Sequence, residues 1–346
     1  MRTLATMAAL ALAAGAALPA AAQETVTLVG YSGLFQERYT QAVIEPFMAA
    51  HPDIRVEYFP IQGSAQILGT LRAQSASPQS DIAIMDLSVA KTGTDEGLFD
   101  PVDESVSAHV AELDPRARAD GVAGAGITFD NLVMLYNTGA VTEAPTSWNA
   151  LKDPAYEGRV AMLGAPDLVG IGLTVILDHA AGGTDPIDNV DLGIEAMAEI
   201  APNVQSWEPR PEVYPNVVNG QVWLGVGWNA RSQLNADTSE GRLAVVLPEE
   251  GSVLQTNTIN LVKNGPAGEA ARVFVDYALS PEAQAAFTEA MYYAPTNLQA
   301  EISPEVSERT VVGSLDRMID LDWIGLAAVR DQITQQWRRQ VIPLSR

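Results

Sequence analysis

The chain contains no cysteine, which removes disulfides, thiolate zinc sites and cysteine nucleophiles from consideration. It has three histidines, His51, His109 and His179, none within four residues of another, so no HExxH-type helix can hold a zinc ion. Basic residues are scarce: 20 Lys and Arg stand against 43 Asp and Glu, a formal charge of −23. Nucleic acid and anionic membrane surfaces both demand a basic footprint, and neither is an expected partner. Beyond the N-terminal segment there is no run of eighteen uninterrupted apolar residues, so insertion into a membrane is not expected. A GxSxG elbow, a Walker A loop and a GxGxxG turn opening a helix after a strand are also missing. Ser88-Val-Ala-Lys91 fits SxxK and Lys91-Thr-Gly93 fits KTG, but acyl-transfer enzymes need these motifs on separate converging elements. Here they share Lys91, which reads as coincidence.

What is present is a packing-competent chain of 346 residues, 47% hydrophobic and 18% charged. That length exceeds one ordinary core and suits two lobes. Arg2, the apolar run Leu4 to Leu18 and the small residues Ala20, Ala21 and Ala22 have the order of a secretory signal. Residues 1–22 are therefore expected to be removed near Ala22, leaving an exported protein.

From Gln23 onward, short β-rich runs alternate with helix-length amphipathic stretches, the pattern of α/β lobes on largely parallel sheets. Strands are expected at Thr25–Val29, Arg55–Phe59, Asp81–Met85, Thr128–Tyr136, Val160–Leu163, Val222–Gly225, Leu243–Leu247 and Thr258–Val262. Helices are expected at Gln36–Ala50, from Gly63-Ser64 to Gln74, and at Val169–His179, Ala267–Leu279, Pro281–Met291 and Trp323–Gln340. No repeat or long linker interrupts the series, so short crossing strands should join the lobes.

Thr146-Ser-Trp-Asn-Ala-Leu-Lys-Asp-Pro-Ala-Tyr-Glu-Gly158 resembles a hinge-proximal signature of the family of periplasmic solute-binding proteins of the spermidine/putrescine type. Met197–Asn203 and Tyr214–Asn229 look like a strand and loop of its second lobe, while Pro281-Glu-Ala-Gln, Tyr293-Ala-Pro-Thr-Asn and Asp322-Trp323 resemble its late segments. The resemblance implies a type II periplasmic binding fold: two hinge-linked lobes, each a mostly parallel sheet flanked by helices. Lobe 1 would comprise residues 23–137 with 258–300, and lobe 2 residues 138–257 with 301–346. It implies a monomeric, non-enzymatic component of an ABC importer that needs no cofactor, closes on a small solute and delivers it to inner-membrane permease subunits.

Carried over position by position, the resemblance places Tyr31, Ser32, Ser64, Asp86, Ser88 and Asp130 on first-lobe loops facing the cleft. Asp167, Trp228, Asn229, Arg231, Asn257 and Tyr293 complete the expected ligand-binding set, with no metal ligand. Tyr31 reads equally as an aromatic wall or a core tyrosine, Asp167 reads first as a helix cap, and a hinge hydrogen bond would also explain Asp130. Tyr292 competes with Tyr293 for the aromatic position. A tryptophan face at Trp228 could hold an ammonium group. The family's paired second-lobe acids are reduced here to Asp167, and its late acid is replaced by Asn257. Arg231 reads equally as a solvated helix arginine or as a cleft residue, and in the cleft it would repel a polyamine and welcome a carboxylate or phosphonate. A polyamine such as putrescine or spermidine is the expected solute, with an ω-amino acid or 2-aminoethylphosphonate as the competitor. Thiamine, iron(III) and an exported hydrolase remain as further alternatives.

Overall fold

The structure, a computed structural model, describes residues 23–345; the expected signal segment lies outside the described residues. β1 (Glu24–Tyr31), β2 (Ile54–Ile61) and β3 (Ile82–Asp86) form a parallel group with β1 in the middle. After the short β4 (Phe99–Asp100), β5 (Ala125–Asn137) passes from one sheet into a second one. There, β6 (Val160–Ala161) lies parallel to both β7 (Val204–Ser206) and β8 (Leu224–Trp228), and β9 (Leu243–Val246) pairs with β5. β10 (Ser252–Val262) carries the chain back, pairing antiparallel with β3 and β5. β11 (Ala294–Pro295) joins β5 and β12 (Met318–Ile319) joins the start of β10. The result is a two-lobed α/β protein with a mixed sheet flanked by helices.

Alternation with a period of two explains why the strands bury both faces. In β1 and β3, Val26, Leu28, Ile82 and Ile84 point into one apolar cluster, while Val29, Ala83 and Met85 point into another. The same rule divides β5 beyond the crossing: Leu132 and Met134 face one cluster, Val133 and Leu135 the other. Along β5, Asp130 is opposite Gln255 of β10, and Leu132 is opposite Trp228 of β8. The strand therefore changes sheets within two residues.

The helices follow their caps. Ser280 accepts the Ala283 N–H and Pro281 occupies the first turn of the helix Pro281–Met291. The first helix runs from Leu34 to Ala50 with a π turn at Thr40–Ile44 just before Pro46, a residue that cannot donate to the helical ladder.

Several segments differ from the sequence expectations. The helices Leu87–Asp95, Val213–Val218 and Asn229–Thr238 fall outside the expected set. Met197–Asn203 is the end of a helix, Asp191–Ile200, and a following 3₁₀ turn, Ala201–Asn203, rather than strand and loop. Its buried residues Ile194, Met197, Ile200 and Ala201 recur at three- and four-residue spacing, the period of a helix. β10 begins at Ser252, six residues before the expected Thr258. Its Gln255-Thr256-Asn257 stretch is polar because a crossing strand between lobes has a polar cavity beside it.

Candidate functional site

Where the strands end, their carboxyl ends and the following helix starts face a shared cavity of about 450 Å³, the place where open α/β sheets bind ligands. β1 delivers Tyr31, β3 delivers Asp86, and β8 delivers Trp228. Ser64 begins the helix Ser64–Gln74, Asp167 caps the helix Leu168–Ala180 by accepting the Val169 N–H at 2.9 Å, and Arg231 lies in the first turn of the helix Asn229–Thr238. Helix starts expose unpaired N–H groups and a partial positive charge, so the cavity wall offers more to polar ligand atoms than its side chains alone. Gly30 has a packing reason to lack a side chain: a Cβ there would fall 2.4 Å from the Tyr58 hydroxyl, which donates to the Tyr31 carbonyl at 2.8 Å.

On the first-lobe side the polar groups form one network. Ser64 Oγ donates to Asp86 Oδ2 at 2.6 Å and accepts the Asp86 N–H at 3.0 Å. The Tyr31 hydroxyl lies 2.8 Å from Ser64 Oγ and 3.0 Å from Asn257 Oδ1; its single proton serves one of them at a time. Asn257 Nδ2 donates to Thr128 Oγ1 at 3.0 Å, and Gln255 donates to Asp86 Oδ1. Burial raises the Asp86 carboxyl above the usual carboxylate range, against the hydrogen bonds from Ser64, Gln255 and Tyr31 and the charge of Arg330. Burial also raises Asp167, opposed by the Val169 N–H and Arg330, while the charge of Asp86 pushes it further up. The two carboxylates therefore sense each other and the same guanidinium.

Nine of the twelve expected residues line this cavity: Tyr31, Ser64, Asp86, Ser88, Asp167, Trp228, Arg231, Asn257 and Tyr293. Three do not. Ser32 lies outside the lining, its N–H bonded to the Ile61 carbonyl. Asn229 donates through Nδ2 to the Arg309 carbonyl at 2.8 Å and faces a separate hollow beside Arg309. Asp130 is buried behind the helix Asn229–Thr238, accepting the Ala230 N–H at 3.1 Å. The tyrosine register is also resolved. Tyr293 lines the cavity and stacks on Phe287, whereas Tyr292 lies under the Arg309 guanidinium and donates to Asp237. Lys91, the shared residue of the SxxK and KTG matches, is held by Asp95 one turn along the helix Leu87–Asp95. Among the described residues no group of three or more His, Asp or Glu is arranged to hold a metal ion.

Sequence reasoning missed Arg330, which lines the cavity and anchors its guanidinium on the Pro166 carbonyl, with Nε at 3.0 Å. No carboxylate forms an ion pair with it among the described residues. A signal existed. Trp323, Leu326, Ile333 and Trp337 form the buried stripe of the closing helix, and Arg330 occupies the stripe position between Leu326 and Ile333. A charge in an inward-facing row needs a partner or a polar cavity. Gln255 escapes notice for a similar reason, sitting in a stretch with no apolar periodicity.

A profile of bacterial extracellular solute-binding proteins matches residues 42–311 of the chain. The chain belongs to that family. It is 24% identical over 309 residues to the gamma-aminobutyric acid-binding protein of Pseudomonas aeruginosa, spanning 82% of this chain and 81% of that one. It is also 24% identical over 200 residues to the spermidine/putrescine-binding periplasmic protein of Escherichia coli, spanning 57% of this chain and 56% of that one. Among solved structures, an ABC transporter substrate-binding protein from Bradyrhizobium japonicum superposes with a TM-score of 0.78 at 20% identity, covering 92% of this chain and 99% of that one. At that identity the likeness speaks to the fold, the two-lobed architecture that the motifs in the sequence implied. No helix among the described residues is long and apolar enough to cross a membrane.

Proposed function

We propose that this protein is the exported, substrate-binding component of an ABC importer, and that it captures a small zwitterionic amine, of the ω-amino acid type, in preference to a polyamine. The lobes divide where β5 and β10 change sheets, near Asn131 and Leu254, and hinge motion about these crossings closes the cavity on the solute. The closed form is what the permease subunits in the inner membrane would accept. The protein acts as a monomer and needs no cofactor.

One observation carries the choice of solute: the cavity lining holds two arginines, Arg231 and Arg330, together with two carboxylates, Asp86 and Asp167. A polyamine presents only cations and would offer no anionic group to Arg231 or Arg330. A molecule with an ammonium at one end and a carboxylate or phosphonate at the other satisfies both sets. Asp86 and the faces of Tyr31 or Trp228 receive the ammonium, and the arginines receive the anion. The gamma-aminobutyric acid-binding relative is consistent with this assignment. The polyamine reading rests on the two carboxylates and on the spermidine/putrescine-binding relative, and it requires Arg330 to turn out of the cavity.

The discriminating experiment is a thermal-shift and tryptophan-fluorescence titration of the mature chain with γ-aminobutyrate, 2-aminoethylphosphonate, putrescine and spermidine. Ligand that binds only the native state raises the melting temperature once it exceeds its dissociation constant. Shifts with the first two and none with the diamines support the zwitterion. The reverse pattern restores the polyamine.

A further inference from the structure

The cavity's second lobe rests on a buried carboxylate that takes no part in the ligand contacts above. Asp130 is 2% exposed and lies on β5 at the crossing between the sheets. Its Oδ1 accepts the N–H of Asn131 at 2.9 Å and of Ala230 at 3.1 Å, the latter in the first turn of the helix that carries Arg231. Its Oδ2 is buried with no hydrogen-bond partner. Facing it from the surrounding elements are Arg231, Tyr214 of the helix Val213–Val218, and Tyr293 just before β11. Arg231 itself lines the cavity and is bound at 3.1 Å by Glu212.

We infer that Asp130 is a proton-linked positioning residue, which anchors the helix start behind Arg231 and, by gaining or losing a proton, sets how strongly Arg231 attracts the anionic end of a ligand. The geometry supplies each part. An acceptor at the first turn fixes that turn when ionised, because the helix start favours negative charge. A second oxygen without a partner in a dry site makes the ionised form costly and leaves room for a proton. Burial accordingly pushes this carboxyl up to about 7, against the hydrogen bonds from the Ala230, Asn131 and Asn229 N–H groups and the charge of Arg231.

The coupling has a definite sign. An anion on Arg231 offsets the field that favours ionised Asp130, so anion binding raises the Asp130 titration. By reciprocity, protonated Asp130 leaves Arg231 more attractive to the anion. Affinity for an anionic group should then rise about three- to tenfold as pH falls through neutrality, the range expected of a coupling of half to one pH unit. The part concerning an anionic ligand rests on the zwitterion reading; the link between Asp130 and Arg231 does not.

The test is a ¹³C NMR titration of mature protein labelled at the aspartate carboxyl carbons, with Asp130→Asn assigning the signal. The expected result is a resonance titrating near neutrality that moves to higher pH in Arg231→Gln, stays in place in Arg231→Lys, and moves to higher pH with saturating γ-aminobutyrate. A helix cap with a purely structural role, uncoupled from the ligand site, would keep its titration when γ-aminobutyrate binds. A resonance titrating near 4, or one unmoved by Arg231→Gln, overturns the inference. Should the free protein behave as expected while γ-aminobutyrate fails to bind, the Asp130 link is upheld and the zwitterion reading is the one that falls.

Discussion

Asp86 and Trp228 reach the cavity from opposite lobes, one at the end of β3 and the other at the end of β8. Each makes a separable contribution. Removing the charge in Asp86→Asn should weaken γ-aminobutyrate by about 10- to 100-fold, the worth of a hydrogen bond to a charged group. Truncating Trp228→Ala should cost about 0.5 to 2 kcal/mol of binding from the lost cation–π face. Both are checked by isothermal titration calorimetry alongside melting temperatures of the free variants. If Trp228→Ala binds as tightly as wild type, the aromatic wall belongs to Tyr31 or Tyr293 instead. At this scale the sequence is informative wherever a polar residue closes a buried strand, as Asp86 does after Ile82–Met85. It is less informative where the side chain's direction depends on an adjacent helix. Asn229 and Trp228 are neighbours, yet Trp228 looks into the cavity and Asn229 looks away to Arg309.

Elements whose period and caps agree are legible in the sequence alone: the helix Pro281–Met291 has the bounds expected from Ser280-Pro281 and the following apolar rows. Ser280→Ala should therefore lower stability by about 1 kcal/mol through loss of the cap to Ala283. Denaturant unfolding checks the loss, and γ-aminobutyrate affinity should be unchanged because Ser280 does not line the cavity. The early half of β10 is illegible by the same rules. Its Gln255 and Asn257 face the cavity, so the strand lacks the apolar alternation that marks a core strand. The helix Asp191–Ile200 is obscured for another reason: a short resemblance outweighs its three- and four-residue spacing. Arg330 shows that an exception within a legible element can carry function, since its helix is expected from the apolar stripe while its inward charge breaks that stripe.

For the molecule as a whole, buried and paired carboxyls in a chain of charge −23 set how stability responds to pH. Burial raises the carboxyls of Asp81, Asp86, Asp130, Asp167 and Asp178. A folded-state value above the unfolded one favours the fold at low pH, and that stability is lost as pH rises from about 4 through the raised value. For Asp130 the loss continues to about 7. Carboxyls held low by partners, such as Asp114 beside Arg116 and Asp103 bonded by Ser105, act in the opposite sense below about 4. Ligand-free protein should thus be most stable on the acid side of neutrality, and Asp130→Asn should flatten the decline between pH 5 and 7, as thermal unfolding across pH 4.5–8 would register.

The zwitterion assignment is tested most directly by the ratio of γ-aminobutyrate to putrescine affinity, measured by competition calorimetry on the wild type and on Arg330→Glu. The expected result is a ratio well above one in the wild type that falls by at least about 100-fold in the variant, since the exchange removes one favourable charged contact and adds a repulsive one. A wild type that prefers putrescine, or a ratio that Arg330→Glu leaves unchanged, would contradict the assignment of the cavity to a zwitterionic amine.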